Sequence, residues 1–170
     1  MNITLQRISV KGEITEGHLR IDGLTICDTL ENTYSCLAPG DYRVHLIKCR
    51  QYARKMPILI PNPSSLIHNS SSLIPNSSSL IPNSSSLIPN SCSSCPRKHY
   101  VNHNTVMPCF CPMIKPGNGI HSRHDGSILV GHRQCQGLLI HPREVFATLY
   151  DRLRMTIQRG NEVTLKIINA

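Results

Sequence analysis

Aromatic residues are scarce in this 170-residue chain, which has no Trp, two Phe and five Tyr. The core of a folded domain must therefore be built mainly from Ile, Leu and Val. No run approaches the ~20 apolar residues that a membrane-spanning helix needs, and Met1 to Val10 lack the basic start and apolar stretch of a signal peptide. We therefore expect no membrane span and, by default, a cytoplasmic protein with reduced thiols, unless it is delivered or released to the cell envelope.

Charge is missing from the middle of the chain. Residues 57–95 contain no Lys, Arg, Asp or Glu, so all 18 basic and all 10 acidic residues lie elsewhere. Related seven-residue units begin at Leu59, Leu66, Leu73, Leu80 and Leu87. Proline in most units interrupts strand ladders, and an odd period sends equivalent residues to opposite faces of a strand. The pattern predicts a flexible low-complexity insert at 57–95, within a single β-rich domain formed by 1–56 and 96–170.

Short apolar runs on both sides of the insert predict strands. The runs from Ile3 to Val10, His18 to Ile21 and Leu24 to Cys27 are typical of hairpin strands, with a turn at Asp22-Gly23. Further strands are expected from Tyr42 to Ile47, from Leu138 to Ile140, and where Val163, Leu165 and Ile167 alternate.

One helix is predicted near the end of the chain. Pro142 can begin a helix without losing a hydrogen bond, and apolar residues recur at helical spacing from Val145 to Leu153, before Gly160. The elements together predict an α+β fold, mainly antiparallel β, with one C-terminal helix and the long insert.

Candidate functional residues are concentrated between glycine turns, just before the apolar run Ile128-Leu129-Val130. The catalytic candidates are Ser127, His121, His124 and Asp125, and the ligand-binding candidates are Arg123, Asn118 and Gly126. A Ser with His and Asp is the chemistry of a nucleophile, a base and an orienting carboxylate. Residues within one turn seldom aim at a common point, however, so we favour a polar turn whose hydroxyl hydrogen-bonds to its own backbone.

Four segments resemble a family of short bacterial and prophage proteins that is distantly similar to L,D-transpeptidases. They are Ile3 to Leu30, Leu37 to Val44, Gly119 to Gly131 and the ending with a helix and then a strand. The resemblance implies a β-rich fold and cell-wall peptide as the partner.

The resemblance also assigns positions in the enzyme motif. Ser127 stands where those enzymes have a nucleophilic Cys, and His121 or His124 stands where they have a His. Ser forms an anion far less readily than Cys, and the spacing from His121 to Ser127 is shorter than in the enzymes.

Three functional hypotheses follow. The first is a degenerate transpeptidase-like domain that binds cell-wall peptide or another ligand at the Gly119–Gly131 loop. The second is an acyl-transfer or hydrolytic enzyme in which Ser127 attacks, His121 or His124 is the base, and backbone amides from Gly126 to Ile128 stabilise an oxyanion. The third is a non-enzymatic interaction protein of a mobile element. Enzymatic activity is thus left open.

Cysteines and basic residues give two further expectations. Cys92, Cys95, Cys109 and Cys111, with His99 and His103 between them, have the types of ligand that bind a structural zinc ion. Buried free thiols explain the other four cysteines and are an alternative for Cys109 and Cys111. No other cofactor is expected. The net charge of +8 favours polyanions, but the basic residues are scattered without interleaved aromatics. A solvated basic face is therefore favoured over nucleic-acid binding, and the oligomeric state is not determined.

Overall fold

The computed structural model describes residues 1–49, 52–62, 112–119 and 126–169. In these ranges the chain forms nine strands and one helix. The elements are β1 (Asn2–Lys11), β2 (Ile14–Ile21), β3 (Leu24–Asn32), β4 (Gly40–Cys49), β5 (Arg54–Pro61), β6 (Ile114–Pro116), β7 (Ile128–Cys135), β8 (Leu138–Ile140), α1 (Pro142–Gln158) and β9 (Thr164–Ile168). The prediction of a mainly β fold with a C-terminal helix is confirmed.

The first three strands form an antiparallel meander. The β2–β3 turn consists of Asp22 and Gly23, whose φ angles are 48° and 90°. Two consecutive positive φ angles give the turn geometry that matches the right-handed twist of a hairpin, which Asp-Gly favours. Local turn chemistry therefore sets the register of this hairpin, as the sequence predicts.

β9 lies between two strands that are far from it in sequence. It pairs in parallel with β1 and antiparallel with β4, so the sheet runs in the order β5-β4-β9-β1-β2-β3-β7-β6, with β8 added to β7. The last strand thereby joins the N-terminal meander to the β4–β5 hairpin.

The two edges of this sheet meet and nearly close it into a barrel. Ile58 of β5 bridges Met113, and the Leu59 N–H donates to the Pro112 carbonyl over 2.9 Å. The alternation of buried side chains along the strands directs one set of apolar residues to a common interior. The barrel-like closure was not part of the sequence-based prediction.

The helix α1 packs one apolar stripe into that interior. Pro142 is at its start, and Val145, Phe146, Leu149 and Leu153 are buried, which confirms the predicted helical spacing. The other predicted stripe, Val163, Leu165 and Ile167, is buried as well.

β5 extends into the segment that the sequence assigns to the insert. It reaches Pro61, so Leu59 of the first repeat is a fully buried core residue paired with Val44. Tertiary pairing with β4 selects this apolar run as a strand, although its composition matches the repeats that follow. Residues 63–111, with the remaining repeats, lie outside the described ranges. In the part of the chain that is described, no helix is long and apolar enough to cross a membrane.

Candidate functional site at the barrel rim

Ser127, the predicted nucleophile, lies at the entrance to β7 and is only 7% exposed. The Met113 N–H donates to its Oγ over 3.3 Å, and the Met113 carbonyl accepts the Ile128 N–H over 2.9 Å. The hydroxyl thus belongs to the set of bonds that holds the start of β6 against the start of β7. A buried oxygen used in this way serves the structure of the strand pair.

Gly126 fixes the path of the chain into Ser127. Its φ is +75°, a conformation that L-residues rarely adopt, and an added Cβ would lie 3.0 Å from the Ser35 carbonyl. Only glycine fits here without strain. The backbone before Ser127 is therefore pressed against the loop that follows β3.

Asn118 anchors the chain after β6. Its carbonyl accepts the Leu139 N–H of β8 over 3.2 Å, while its side chain is exposed. The two ends of the segment 119–126 are consequently attached to different parts of the barrel, one to β8 and the other to the loop after β3. His121, Arg123, His124 and Asp125 lie between these anchors and outside the described residues.

A buried ion pair lies beside the loop after β3. The Arg7 Nε and Nη2 donate to Glu31 over 2.8 and 2.9 Å, and the exposed fractions of the two side chains are 6% and 1%. Arg7 also donates to the Leu37 carbonyl over 2.6 Å and to Asn169 Oδ1 over 3.1 Å. The pair thus ties together β1, β3, the loop after β3 and the end of β9.

The electrostatics of Arg7 reflect this arrangement. Burial by itself lowers the pKa of the guanidinium, but the hydrogen bond and the negative charge of Glu31 outweigh it, so the net pKa is raised. The guanidinium stays charged at every accessible pH. We therefore read the pair as a permanent structural cross-link rather than as an acid or base.

A cavity of about 370 Å³ opens next to this pair, lined among others by Arg7, Thr15, Cys36 and Asn169. The Cys36 thiol donates to the Thr33 carbonyl over 3.3 Å. Burial raises the pKa of this thiol, against the opposing effect of the Arg7 charge. A raised pKa keeps the thiol protonated, so Cys36 lacks the thiolate character of a nucleophile.

A second polar cluster lies on the outer face of the meander. His18 Nδ1 is 2.8 Å from Asp28 Oδ1, and Asp28 Oδ2 accepts the Arg133 N–H over 2.7 Å. Glu16 accepts the Gly137 N–H over 2.9 Å and pairs with the Arg133 side chain at 3.4 Å. These bonds hold the β7–β8 turn over strands β2 and β3.

Sequence reasoning missed both polar clusters. The sequence did contain an indication of the Arg7–Glu31 pair. Arg7 falls on the same strand face as buried Ile3 and Leu5, and Glu31 falls on the same face as buried Cys27 and Thr29. A charged residue in a buried register needs a partner of opposite charge, and these two strands supply one each.

The structure brings together part of the predicted site. Gly126 and Ser127 are adjacent at the start of β7, whereas Asn118 follows the end of the parallel strand β6 and therefore lies at the other end of this strand pair. The predicted zinc ligands Cys92, Cys95, Cys109 and Cys111 fall outside the described ranges. Among the residues described, no group of three or more His, Cys, Asp or Glu could hold a metal ion.

The described residues of the predicted site, Asn118, Gly126 and Ser127, are held in place by hydrogen bonds and close packing against neighbouring strands and loops. Comparison with known proteins gave no significant match to a family model, to a curated protein or to a solved structure.

Proposed function

We propose that this protein is a non-catalytic binding domain whose ligand, a cell-wall peptide, is bound at the Gly119–Gly131 loop. The observation that carries the proposal is the state of Ser127, which is buried and accepts the Met113 N–H through Oγ. An acyl-transfer enzyme needs this oxygen exposed to the substrate. Here the oxygen supports the joint between two strands.

The two anchors of the loop support binding. Asn118 is hydrogen-bonded to β8, and Gly126 is packed on the Ser35 carbonyl, so the residues on either side of 120–125 are fixed. Fixed ends lower the conformational entropy that a loop loses when it binds a ligand. The sequence of this loop supplies His, Arg and Asp side chains for polar recognition of a peptide.

The choice of cell-wall peptide follows from the resemblance to the L,D-transpeptidase group. Replacement of a Cys by a Ser at the nucleophile position is the change expected when binding persists without chemistry, because Ser lacks an accessible anionic form near neutral pH. The guanidinium of Arg123 is suited to the carboxylate groups of such peptides.

The test is incubation of the full chain with purified bacterial sacculi, followed by pelleting and by mass spectrometry of the released peptides. We expect the wild type to pellet, Arg123→Ala to pellet about tenfold more weakly through loss of a charge-assisted bond, and Arg152→Ala, a change on the exposed face of α1, to match the wild type. Ser127→Ala should pellet like the wild type.

The same experiment separates the competing hypotheses. New cross-links or cleaved peptides that disappear in Ser127→Ala would overturn the proposal in favour of an enzyme. Absence of pelleting, or equal weakening by Arg123→Ala and Arg152→Ala, would overturn cell-wall recognition at this loop. Thermal unfolding of each variant identifies any loss that comes from misfolding.

A further inference from the structure

A second cavity, of about 350 Å³, lies where α1 covers the junction of β5 and β6. Its lining residues are Arg54, Pro116, Arg143, Phe146, Ala147, Tyr150 and Asp151. Among the described residues, none that lines the cavity belongs to the Gly119–Gly131 loop.

Two prolines explain why the barrel opens at this point. Leu59 donates its N–H to Pro112 of the facing segment, and alternate residues of a strand direct their backbone groups to the same side. The next donor from β5 toward β6 would therefore be residue 57, which is Pro57 and has no N–H. On the facing strand, Pro116 also lacks a donor. The backbone hydrogen bonds between β5 and the segment that leads into β6 therefore do not continue beyond the bridge of Ile58 and Met113, which leaves space between β5 and β6.

Two guanidinium groups line this opening without a carboxylate partner. Within the described chain, neither Arg54 nor Arg143 forms a salt bridge or a side-chain hydrogen bond. The one acidic lining residue, Asp151, lies 3.4 Å from Arg154, with which it pairs along the helix. The lining thus carries two unpaired positive charges and one negative charge that is already matched.

Aromatic contacts orient one of these arginines. The Arg54 guanidinium carbon lies 5.4 Å from the centre of the Phe146 ring, within the range of a cation–π contact. Such a contact uses the face of the guanidinium and leaves its N–H edge free to donate. Arg143 precedes Phe146 by three residues, so the two share one face of α1, and Arg143 lines the same cavity as Arg54.

The remaining wall is apolar and aromatic. The Phe146 and Tyr150 rings are 5.8 Å apart between centroids and inclined by 37°. Phe146 is only 3% exposed, so the accessible apolar surface next to the two cations comes from the half-buried Tyr150 with Pro116 and Ala147. Surfaces of this composition accommodate a planar apolar group whose charged end reaches the arginines.

We propose that this cavity binds a small aromatic anion, with a phosphate or carboxylate group held by Arg54 and Arg143 and the ring packed on Tyr150. Both anions accept paired N–H bonds from a guanidinium fork. Phosphate takes more such bonds than carboxylate, so two arginines suit it better. The proposal does not depend on the proposed peptide-binding function.

The experiment is a titration of the isotopically labelled full chain with phenyl phosphate, benzoate and inorganic phosphate, followed by NMR of arginine Nε–H and aromatic ring signals. We expect phenyl phosphate to shift the Arg54, Arg143 and Tyr150 signals and to bind more tightly than either of the other two probes. Arg54→Gln and Arg143→Gln should each weaken it about tenfold, the loss of one charge-assisted bond.

Arg152→Gln is the matched control, since Arg152 is exposed on the same helix but does not line the cavity. Its affinity should stay within about twofold of the wild type, because a distant exposed charge is largely screened at physiological salt. Equal weakening in all three variants would show diffuse attraction to a basic surface and overturn the site. If phenyl phosphate did not shift the Tyr150 signals, the proposed contact of the ligand ring with Tyr150 would be wrong. If benzoate bound more tightly, the proposed preference for phosphate would be wrong.

Discussion

Two arginine–carboxylate pairs lie on opposite faces of the β1–β3 meander and differ in their surroundings. On the inner face, Arg7 and Glu31 form two bonds of 2.8 and 2.9 Å, and both side chains are almost completely buried. On the outer face, Arg133 approaches Glu16 to 3.4 Å; the carboxylate side chain is 7% exposed and the arginine side chain 48%. The same two chemical groups therefore form one ion pair whose arginine is buried and one whose arginine is half-exposed.

The difference shows how burial changes the consequence of losing a partner. A solvated arginine whose carboxylate is removed recovers hydration, so an exposed pair contributes little. A buried arginine left alone keeps an uncompensated charge in a medium of low polarity. We therefore expect the inner pair to control folding of the barrel and the outer pair to control only the position of the β7–β8 turn.

The largest difference in stability should be between variants that neutralise Glu31 and variants that neutralise Glu16. Glu31→Gln should lower the free energy of unfolding by about 3–5 kcal/mol because it leaves Arg7 charged and buried. Glu16→Gln should cost about 1 kcal/mol or less, since Gln still accepts the Gly137 N–H and Arg133 is half-exposed. Urea unfolding of both variants measures the contrast.

A double-mutant cycle provides the control for this contrast. Arg7→Met combined with Glu31→Leu should be less destabilising than the sum of the two single changes, because no unpaired charge remains. The same cycle on Arg133 and Glu16 should give a coupling within about 0.5 kcal/mol of zero. Similar coupling energies on the two faces would contradict the distinction between the Arg7–Glu31 pair, with its buried arginine, and the Arg133–Glu16 pair, with its half-exposed arginine.

Two glycines extend the comparison to packing. At Gly17, on the inner face, a Cβ would lie 2.7 Å from the Gln6 carbonyl and 2.8 Å from Thr29 Oγ1. Gly17→Ala should cost about 1–3 kcal/mol, since the middle strand of the meander cannot move away from both neighbours. At Gly131, on the outer face, the first obstacle is Leu139 Cβ at 2.8 Å, on the three-residue strand β8.

Because β8 can shift outward, Gly131→Ala should cost less than Gly17→Ala, about 1 kcal/mol at the low end of overpacking effects. Thermal unfolding of the two variants compares the faces directly. A larger loss at Gly131 than at Gly17 would mean that β8 is held as firmly as the meander itself.

The inner face also contains a hydroxyl without a partner. Thr29 Oγ1 is buried and, among the described residues, makes no hydrogen bond. Thr29→Val keeps the shape and removes the unmatched group, so it should stabilise the protein by about 1 kcal/mol. The matched control is Thr15→Val, which breaks the 3.0 Å bond to Thr33 and should bring no gain. Chemical denaturation that ranks the two variants in the reverse order would contradict this assignment.

The smallest expected effects concern the reactivity of two thiols, Cys27 on the inner face and Cys135 on β7. Burial, and then the charge of Asp28, raises the pKa of inward-facing Cys27 from 9.0 to about 12, whereas Cys135 is exposed. Iodoacetamide labelling mapped by mass spectrometry should modify Cys135 in the native protein and Cys27 only after unfolding. Rapid native labelling of Cys27 would show that the inner face opens readily.

The same shift has a pH consequence of defined sign. Because the folded thiol of Cys27 stays protonated where the unfolded thiol ionises, its stabilising contribution is complete below about pH 8.5 and is lost as the pH rises toward 12. Stability between pH 9 and 11 should therefore fall less steeply in Cys27→Ala than in the wild type, by urea unfolding at each pH. Equal slopes would contradict the shift.

Much of the local structure follows from the sequence because its causes are local. Asp22-Gly23 has the residues that a tight hairpin turn needs, and the stripe from Val145 to Leu153 follows helical periodicity after a proline. The strand that contains Leu59 is different, since its Leu-Ile-Pro sequence recurs in the repeats that follow. Only pairing with β4 distinguishes it, and such pairing is not encoded in a short window.

The candidate site was predictable to the same limited extent. Glycine spacing predicted a loop here, and Gly126 has a φ of +75°, a conformation that glycine adopts readily. The burial of Ser127 and its bond to Met113 depend on how β6 meets β7. Triad chemistry is a matter of geometry, and residue types alone leave that geometry undefined.

By itself the sequence determined the hairpins, the helix and the alternation of the buried strands, because these depend on residues a few positions apart. Tertiary structure alone decided that the last strand enters the sheet between β1 and β4, that Pro57 and Pro116 leave an opening under α1, and that Arg7 meets Glu31 inside the barrel. Each of these results joins residues distant in the chain. Their free energy arises from burial and charge pairing that exist only when the sheet is assembled.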